Sequence, residues 1–255
     1  PSGYYDSSNY SGNAASAGQQ RYEYTLSKNE EREDVATITK YYGTVSAITV
    51  PGVIDGYTVV AIGDGAFKGN RYLATAMLPD SVKEIGNDAF ANSGLTSLTL
   101  PPNLEMMRGG ILSGNTGVRE LTIPKTVKVM QDKNLLPTGA LNGSSVETVI
   151  FEKGITRIPS CGAKGAKKLT SVSIPETVTE IDAAAFQDCT ALKTIDLPQN
   201  LATIGDNAFD NSGLTSLTLP SNLEVMRGGI LFGNTGVREL TIPKTVKVMQ
   251  DKNLL

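Results

Sequence analysis

The stretch that decides the fold is Leu214-Thr215-Ser216-Leu217-Thr218-Leu219-Pro220-Ser221-Asn222. Apolar residues alternate there with hydroxyl residues, and this alternation is typical of a strand with one buried face. Pro220 ends the alternation, because proline has no backbone N–H to donate to a neighbouring strand. The stretch therefore predicts a short, half-buried strand that stops at the proline.

The same arrangement recurs along the chain, and each copy ends in an aliphatic residue followed by proline. The pairs are Val50-Pro51, Leu78-Pro79, Leu100-Pro101, Ile123-Pro124, Ile174-Pro175, Leu197-Pro198, Leu219-Pro220 and Ile242-Pro243. Phe151-Glu152 takes the equivalent place between Pro124 and Pro175. Successive spacings are 28, 22, 23, 28, 23, 23, 22 and 23 residues, which predicts a stacked repeat array with a unit of about 23 residues.

Two further features recur in each unit. A Ser, Thr or Asn stands two residues after the proline position in seven of nine units, and we expect a stacked column of side chains bonded to the turning backbone. Ile, Ala and Phe recur at helix-like spacing in residues 62–67, 85–90, 181–186 and 204–209. This spacing predicts a short helical turn, with the phenylalanine pointing inward as the main filler of each coil.

The spacing L-x-x-L-x-L-x-x-N in residues 214–222 is that of leucine-rich repeats. Residues 62–70 and 181–192, each followed by a strand ending in aliphatic-Pro, resemble the BspA-like leucine-rich repeats, and residues 36–59 resemble the first unit of that family. The resemblance covers about residues 22–255. We therefore predict an α/β fold: a right-handed leucine-rich-repeat solenoid, or horseshoe, with a parallel concave sheet, short helical turns on the convex side and an N-terminal β-hairpin cap.

The composition divides the chain into two parts. Residues 1–20 are mostly Gly, Ser, Asn and Ala, which predicts a flexible linker. Residues 21–255 are predicted to form a single leucine-rich-repeat domain, with the N-terminal cap and the first strand in residues 21–50. Units of about 23 residues follow from there. The cap is predicted to be a hairpin with a charged turn at residues 28–34, since terminal units of solenoids are atypical.

A long duplication lies within the array. Residues 86–136 and 205–255 differ at only six of 51 positions. The first copy continues into further repeat sequence, whereas the second stops at Leu255 with no polar unit to close the stack. Because an open sheet edge and core face are unfavourable, we expect the natural chain to run on beyond Leu255.

Several classes of function are disfavoured by composition. The chain has no histidine, which excludes Ser-His-Asp, Cys-His and histidine–metal sites, and its two cysteines exclude a disulfide framework and a thiolate zinc site. Net charge is −3 and the 23 Lys and Arg residues are scattered, so no nucleic-acid partner is indicated. No apolar run approaches the roughly 20 residues that span a bilayer. We expect neither catalysis nor a cofactor, and no membrane insertion of this segment.

Residues with reactive side chains favour structural roles. Cys189 aligns with Asn70 and Asn115, and Cys161 aligns with Ala184, so both are predicted to be packed thiols. The adjacent glutamates Glu30 and Glu31 lie in the predicted cap turn and are expected to be solvated charges rather than acid–base machinery.

The resemblance implies a secreted or cell-surface protein of bacteria or some protists, in a family without shared catalytic residues. The resulting expectation is an extracellular interaction or adhesion module that binds a host or neighbouring-cell protein through a solenoid surface. Two alternatives remain open: a structural spacer or stalk of a larger surface protein, and a glycan-binding module attached to an enzyme.

The concave strand face is the default ligand face of such arrays. Its outward positions are mostly Thr and Ser, which equally suit strand propensity and cross-strand pairing. The candidate binding residues are six of the charged exceptions: Arg119, Glu120, Lys193, Asp196, Arg238 and Glu239. A mutual salt-bridge role for them is as compatible with the sequence as a ligand role.

Overall fold

The computed structural model describes residues 2–6, 21–134 and 137–250. These residues form 18 strands joined by turns, and no helix occurs among them. The strands are β1 (Ser2–Asp6), β2 (Arg21–Lys28), β3 (Asp34–Tyr41), β4 (Ala47–Thr49), β5 (Val53–Ile54), β6 (Tyr57–Ile62), β7 (Thr75–Met77), β8 (Glu84–Ile85), β9 (Ser97–Thr99), β10 (Met106–Met107), β11 (Glu120–Ile123), β12 (Thr148–Phe151), β13 (Arg157–Ile158), β14 (Ser171–Ser173), β15 (Glu180–Ile181), β16 (Thr203–Ile204), β17 (Val225–Met226) and β18 (Val248–Met249).

Strands from successive coils stack in parallel along two sides of the array. The first ladder consists of the strands before the aliphatic-Pro pairs, in two sheets: β4, β7 and β9, then β11, β12 and β14. The second ladder consists of β6, β8 and β10, then β13, β15, β16, β17 and β18. The chain is therefore a β-solenoid of stacked parallel strands. The direction of its winding and the concave placement of the first ladder stay predictions.

The first ladder is shorter than the repeat pattern indicates. Six of the nine predicted strand stretches are strands, whereas residues 193–196, 215–218 and 238–241 lie outside strands. Thr215 N nevertheless donates to Lys193 O at 2.9 Å, so these coils retain part of the inter-coil bonding.

The predicted helical turns, and with them the α/β class, are wrong. Ile62 ends strand β6, and the residues that follow it form consecutive turns. Phe67 N donates to Ala89 O of the next coil at 2.7 Å, rather than to a carbonyl of its own coil as a helix requires. Left-handed backbone at Gly65 (φ 62°) and at Asp88 (φ 53°) also interrupts any helical run. The Ile-Ala-Phe spacing arises because the turns direct these side chains inward.

The inward role of phenylalanine is confirmed. The ring centroids of Phe67 and Phe90 lie 4.9 Å apart, and those of Phe186 and Phe209 lie 5.6 Å apart, so neighbouring coils stack their rings. Between these pairs the rings give way to buried aliphatic residues such as Ile111 and Leu112. The core therefore runs continuously along the array while its filler changes.

Polar side chains form hydrogen bonds between each of several coils and the preceding coil. Thr177 Oγ1 donates to Ile155 O at 2.6 Å, and the equivalent residue does the same in other coils. The equivalents that bond a carbonyl of the preceding coil are Ser81, Asn103, Thr126, Asn200 and Thr245. The predicted column is confirmed, and it satisfies backbone carbonyls that the turns leave without a ladder partner.

A second column of polar groups lies inside the coils. Asn115 Nδ2 donates to Phe90 O at 2.7 Å, and Asn234 Nδ2 donates to Phe209 O at 2.6 Å. Cys189 takes the same place, and its Sγ donates to Ala163 O at 3.2 Å. The thiol thus replaces an amide as the donor to a buried carbonyl.

The N-terminal end is closed by antiparallel strands. β2 and β3 form the predicted hairpin, and β3 pairs in parallel with β6 of the first coil. Its Tyr22 and Tyr41 rings extend the phenylalanine stack, with Tyr41 5.2 Å from Phe67. β1, within the predicted linker, pairs with β2, while residues 7–20 lie outside the described residues. The division into a linker and one repeat domain stays a prediction.

Met130 and Met77 both lie in internal coils but differ in burial, at 0% and 62% exposure. We expect Met130→Ala to lower the free energy of unfolding by about 2–5 kcal/mol, because it leaves a cavity in a packed coil. Met77→Ala should lower it by less than about 1 kcal/mol, because less buried surface is lost. Urea unfolding monitored by circular dichroism measures both, and equal losses would contradict this packing.

Burial raises the pKa of the thiols of both Cys161 and Cys189. Because the thiolate is the reactive form, native protein should not react with Ellman's reagent at about pH 8. Unfolding in urea should release two equivalents of thiol, one from each free cysteine. Reaction of either cysteine in the native state at the rate of an exposed thiol would show that the packing is looser than observed.

Candidate interaction surface

The outward face of the first ladder is a regular grid of small polar side chains. In β9, the exposed Ser97 and Thr99 flank the buried Leu98. Parallel registers align such positions between coils, so Ser97 lies beside Thr75 and Thr99 lies beside Met77. Each coil therefore presents a few outward side chains in a fixed row.

Part of the hydroxyl population on this face is engaged in coil stacking. The hydroxyls of Thr96, Thr170 and Thr215 donate to the carbonyls of Ala74, Glu147 and Lys193, at 3.2, 3.2 and 3.1 Å. Each carbonyl belongs to the preceding coil. These hydroxyls stabilise the array, and a ligand would have to compete for them.

The six predicted binding residues are all exposed, but they are spread over several coils. Arg119 Nη1 is hydrogen-bonded to Glu147 Oε1 in the next coil, so this arginine is engaged in an ion pair. Lys193 Nζ donates to Thr190 O at 3.2 Å. Within the described part of the chain, no ion pair engages Arg238 or Glu239.

Glu120 and Asp196 line two separate hollows of the first-ladder face. The hollow at Glu120, of about 310 Å³, lies where the sheets of β9 and β11 separate, and Leu98 and Thr122 also line it. The hollow at Asp196 measures about 380 Å³. The structure therefore does not bring the six candidate residues into one site.

A larger hollow, of about 490 Å³, lies outside the predicted face. We call it the hairpin groove: residues 27–31 of the cap turn form one wall, and residues of β3, β6, β8 and β10 form its floor. Sequence analysis identified the charged turn but not the groove, because the groove depends on how the turn folds over the second ladder.

The described residues contain neither a cluster of metal ligands nor an exposed thiol. No group of three or more Asp, Glu or Cys side chains among them is placed to hold a metal ion. Both thiols are buried and carry raised pKa values. In the same part of the chain, no helix has the length and apolar character needed to cross a membrane.

Solved structures of similar fold are bacterial leucine-rich-repeat proteins. A leucine rich cell surface protein of Faecalibacterium prausnitzii is 27% identical with a TM-score of 0.50, and the match covers 77% of this chain and about half, 52%, of that protein. The Leucine Rich Repeat protein of T. pallidum is 25% identical with a TM-score of 0.50, and the match covers 85% of this chain and 88% of that protein. A leucine-rich repeat protein from Bacteroides ovatus is 19% identical with a TM-score of 0.53, and this likeness concerns the fold alone. The match covers 85% of this chain and 69% of that protein.

No curated protein matches the sequence. The sequence profile of the BspA type leucine rich repeat region, which spans six copies of the repeat, matches residues 41–161 and 134–254. These matches span most of the chain and follow the coils of the solenoid. The chain belongs to the BspA type leucine-rich-repeat family.

Proposed function

We propose that this chain is an interaction module of a secreted or cell-surface protein. It binds a protein on a host or neighbouring cell through the outward face of the first ladder. Membership of the BspA type family and similarity to a bacterial protein described as a cell surface protein support this proposal. The array serves as a rigid support that presents the binding side chains in fixed rows.

The observation that carries the proposal is the state of the charged residues on this face. Asp196 is exposed, lines the hollow of about 380 Å³ and takes part in no ion pair among the described residues. A side chain without an internal ion pair can bind a partner without breaking an existing contact. A partner that bears a cation can therefore pair with Asp196 within the hollow.

Arg119 provides a comparison on the same face. It is bonded to Glu147 of the next coil, whereas no ion pair among the described residues engages Asp196. A ligand therefore gains more from Asp196, because binding Arg119 requires competition with an existing carboxylate.

We expect Asp196→Ala to weaken binding of the whole chain to its cell-surface ligand by about fivefold, and Arg119→Ala by about twofold or less. Solid-phase titration against purified extracellular-matrix proteins and whole cells measures both affinities. Circular dichroism checks that both variants are folded. Absence of saturable binding by the unaltered chain, or identical affinities for both variants and the parent, would refute the proposal.

One observation favours the spacer alternative. The hydroxyls of Thr96, Thr170 and Thr215 bond to neighbouring coils, so part of the face serves the length and rigidity of the array. A spacer tolerates substitution of every exposed residue on the first ladder. The same titration thus separates the two functions, since only a binding face loses affinity on Asp196→Ala.

A further inference from the structure

We infer that the hairpin groove binds an extended, arginine-bearing segment of a partner protein. This goes beyond the proposed function, because the groove lies on the second ladder and beneath the N-terminal cap, away from the first-ladder face. The inference rests on the shape of the groove, the apolar strip of Ala61 and Met106 within its floor and the carboxylates at its wall.

The floor of the groove is one register row of the sheet. Thr37, Ala61, Glu84 and Met106 lie side by side on β3, β6, β8 and β10, and all four are half-buried. The next residue of each strand points inward: Ile38, Ile62, Ile85 and Met107 are fully buried in the core. Strand alternation therefore holds the floor side chains outward, where they leave a shallow apolar strip around Ala61 and Met106.

The wall of the groove is an ordered turn. Asn29 Oδ1 accepts a hydrogen bond from Glu33 N at 2.8 Å, and Asn29 N donates to Glu33 O at 3.0 Å. Arg32 completes the turn with left-handed backbone at φ 63°. Lys28 and Asp34 form an ion pair of 3.0 Å across its base. Because the turn is already ordered, ligand binding loses little conformational entropy there.

The charge of the groove is negative. Four glutamates line it, Glu30, Glu31, Glu84 and Glu105, against two lysines. Glu84 is paired with Arg108 at 2.6 Å and Glu105 with Lys128 at 3.0 Å. No ion pair within the described ranges engages Glu30 or Glu31, so the wall presents two carboxylates that a cationic ligand can reach.

Arginine matches both parts of this surface. Its aliphatic stem packs on apolar strips such as that of Ala61 and Met106, while its guanidinium stays at the polar rim. The planar guanidinium forms paired hydrogen bonds with carboxylates, which a lysine ammonium cannot do. The volume of about 490 Å³ lies within the roughly 300–1,000 Å³ of ligand sites, and it accommodates an arginine with its neighbouring residues.

The test uses the full chain and a short fluorescein-labelled peptide with two arginines separated by one residue. A second peptide carries citrulline, the neutral isostere of arginine, at both positions. Fluorescence anisotropy at low salt should show saturable binding of the arginine peptide and binding of the citrulline peptide that is about tenfold weaker. Affinity for the arginine peptide should fall as salt is added, because exposed charges are screened.

The duplication supplies a matched pair of variants. Glu105 pairs with Lys128 in the groove, and Glu224 pairs with Lys247 at the same 3.0 Å in the second copy, outside the groove. Glu105→Gln should weaken peptide binding by about threefold, since it also leaves Lys128 uncompensated near the rim. Glu224→Gln should leave affinity unchanged, although it breaks an equivalent ion pair. The double variant E30Q and E31Q should weaken binding by about tenfold.

The groove proposal is overturned if the arginine peptide does not saturate, if both peptides bind alike, or if Glu224→Gln weakens binding as much as Glu105→Gln. Circular dichroism identifies any variant that fails to fold. Met106→Val then offers a conservative change of the floor, because the second copy carries Val225 at this position. It should weaken binding by about twofold without loss of structure. The peptide titration does not involve the first-ladder residues, so its failure is distinct from failure of the proposed function.

Discussion

Hydrogen bonds between the backbones of adjacent coils hold the structure together, and the other features depend on them. On the first ladder Thr96 N donates to Ala74 O at 2.9 Å, and on the second Gly86 N donates to Ile62 O at 2.7 Å, both toward the preceding coil. At the turns Phe90 N donates in the opposite direction, to Ile111 O at 3.0 Å. Each coil thus satisfies its backbone only when it lies between neighbours. We therefore expect the array to unfold cooperatively, and the same bonding explains why the described coils form no helix.

Features encoded within one unit could be predicted from the sequence. The alternation of buried and exposed residues around Leu217 and the inward phenylalanines depend on local periodicity and agree with the structure, although residues 215–218 do not form the predicted strand. The helical turn was wrong because Ile, Ala and Phe can point inward from either a helix or consecutive turns. A signal that distinguishes them was present: Gly65, Asp88 and Asn207 occupy the position that adopts left-handed backbone, and Gly, Asp and Asn tolerate it best.

Features that depend on register between coils could not be predicted. The exposure of Arg119 and Glu120 follows from strand alternation, but the bond from Arg119 to Glu147 depends on a neighbour 28 residues away. The hairpin groove is even less predictable from the sequence, because its wall and floor come from five segments that meet only after the cap has folded. Single-sequence reasoning therefore locates exposed residues on this array but does not identify which of them are available to a partner.

The near-identical copies within the array also affect its length. Because the two copies have nearly the same sequence, recombination between residues 86–136 and 205–255 would remove or add a block of 119 residues without creating a new kind of interface. Such a block corresponds to five coils, or roughly 24 Å of array at the ~4.8 Å spacing of neighbouring strands. A gene of this design can change the length of its product in fixed steps, while the cap and the hairpin groove at the N-terminal end stay intact.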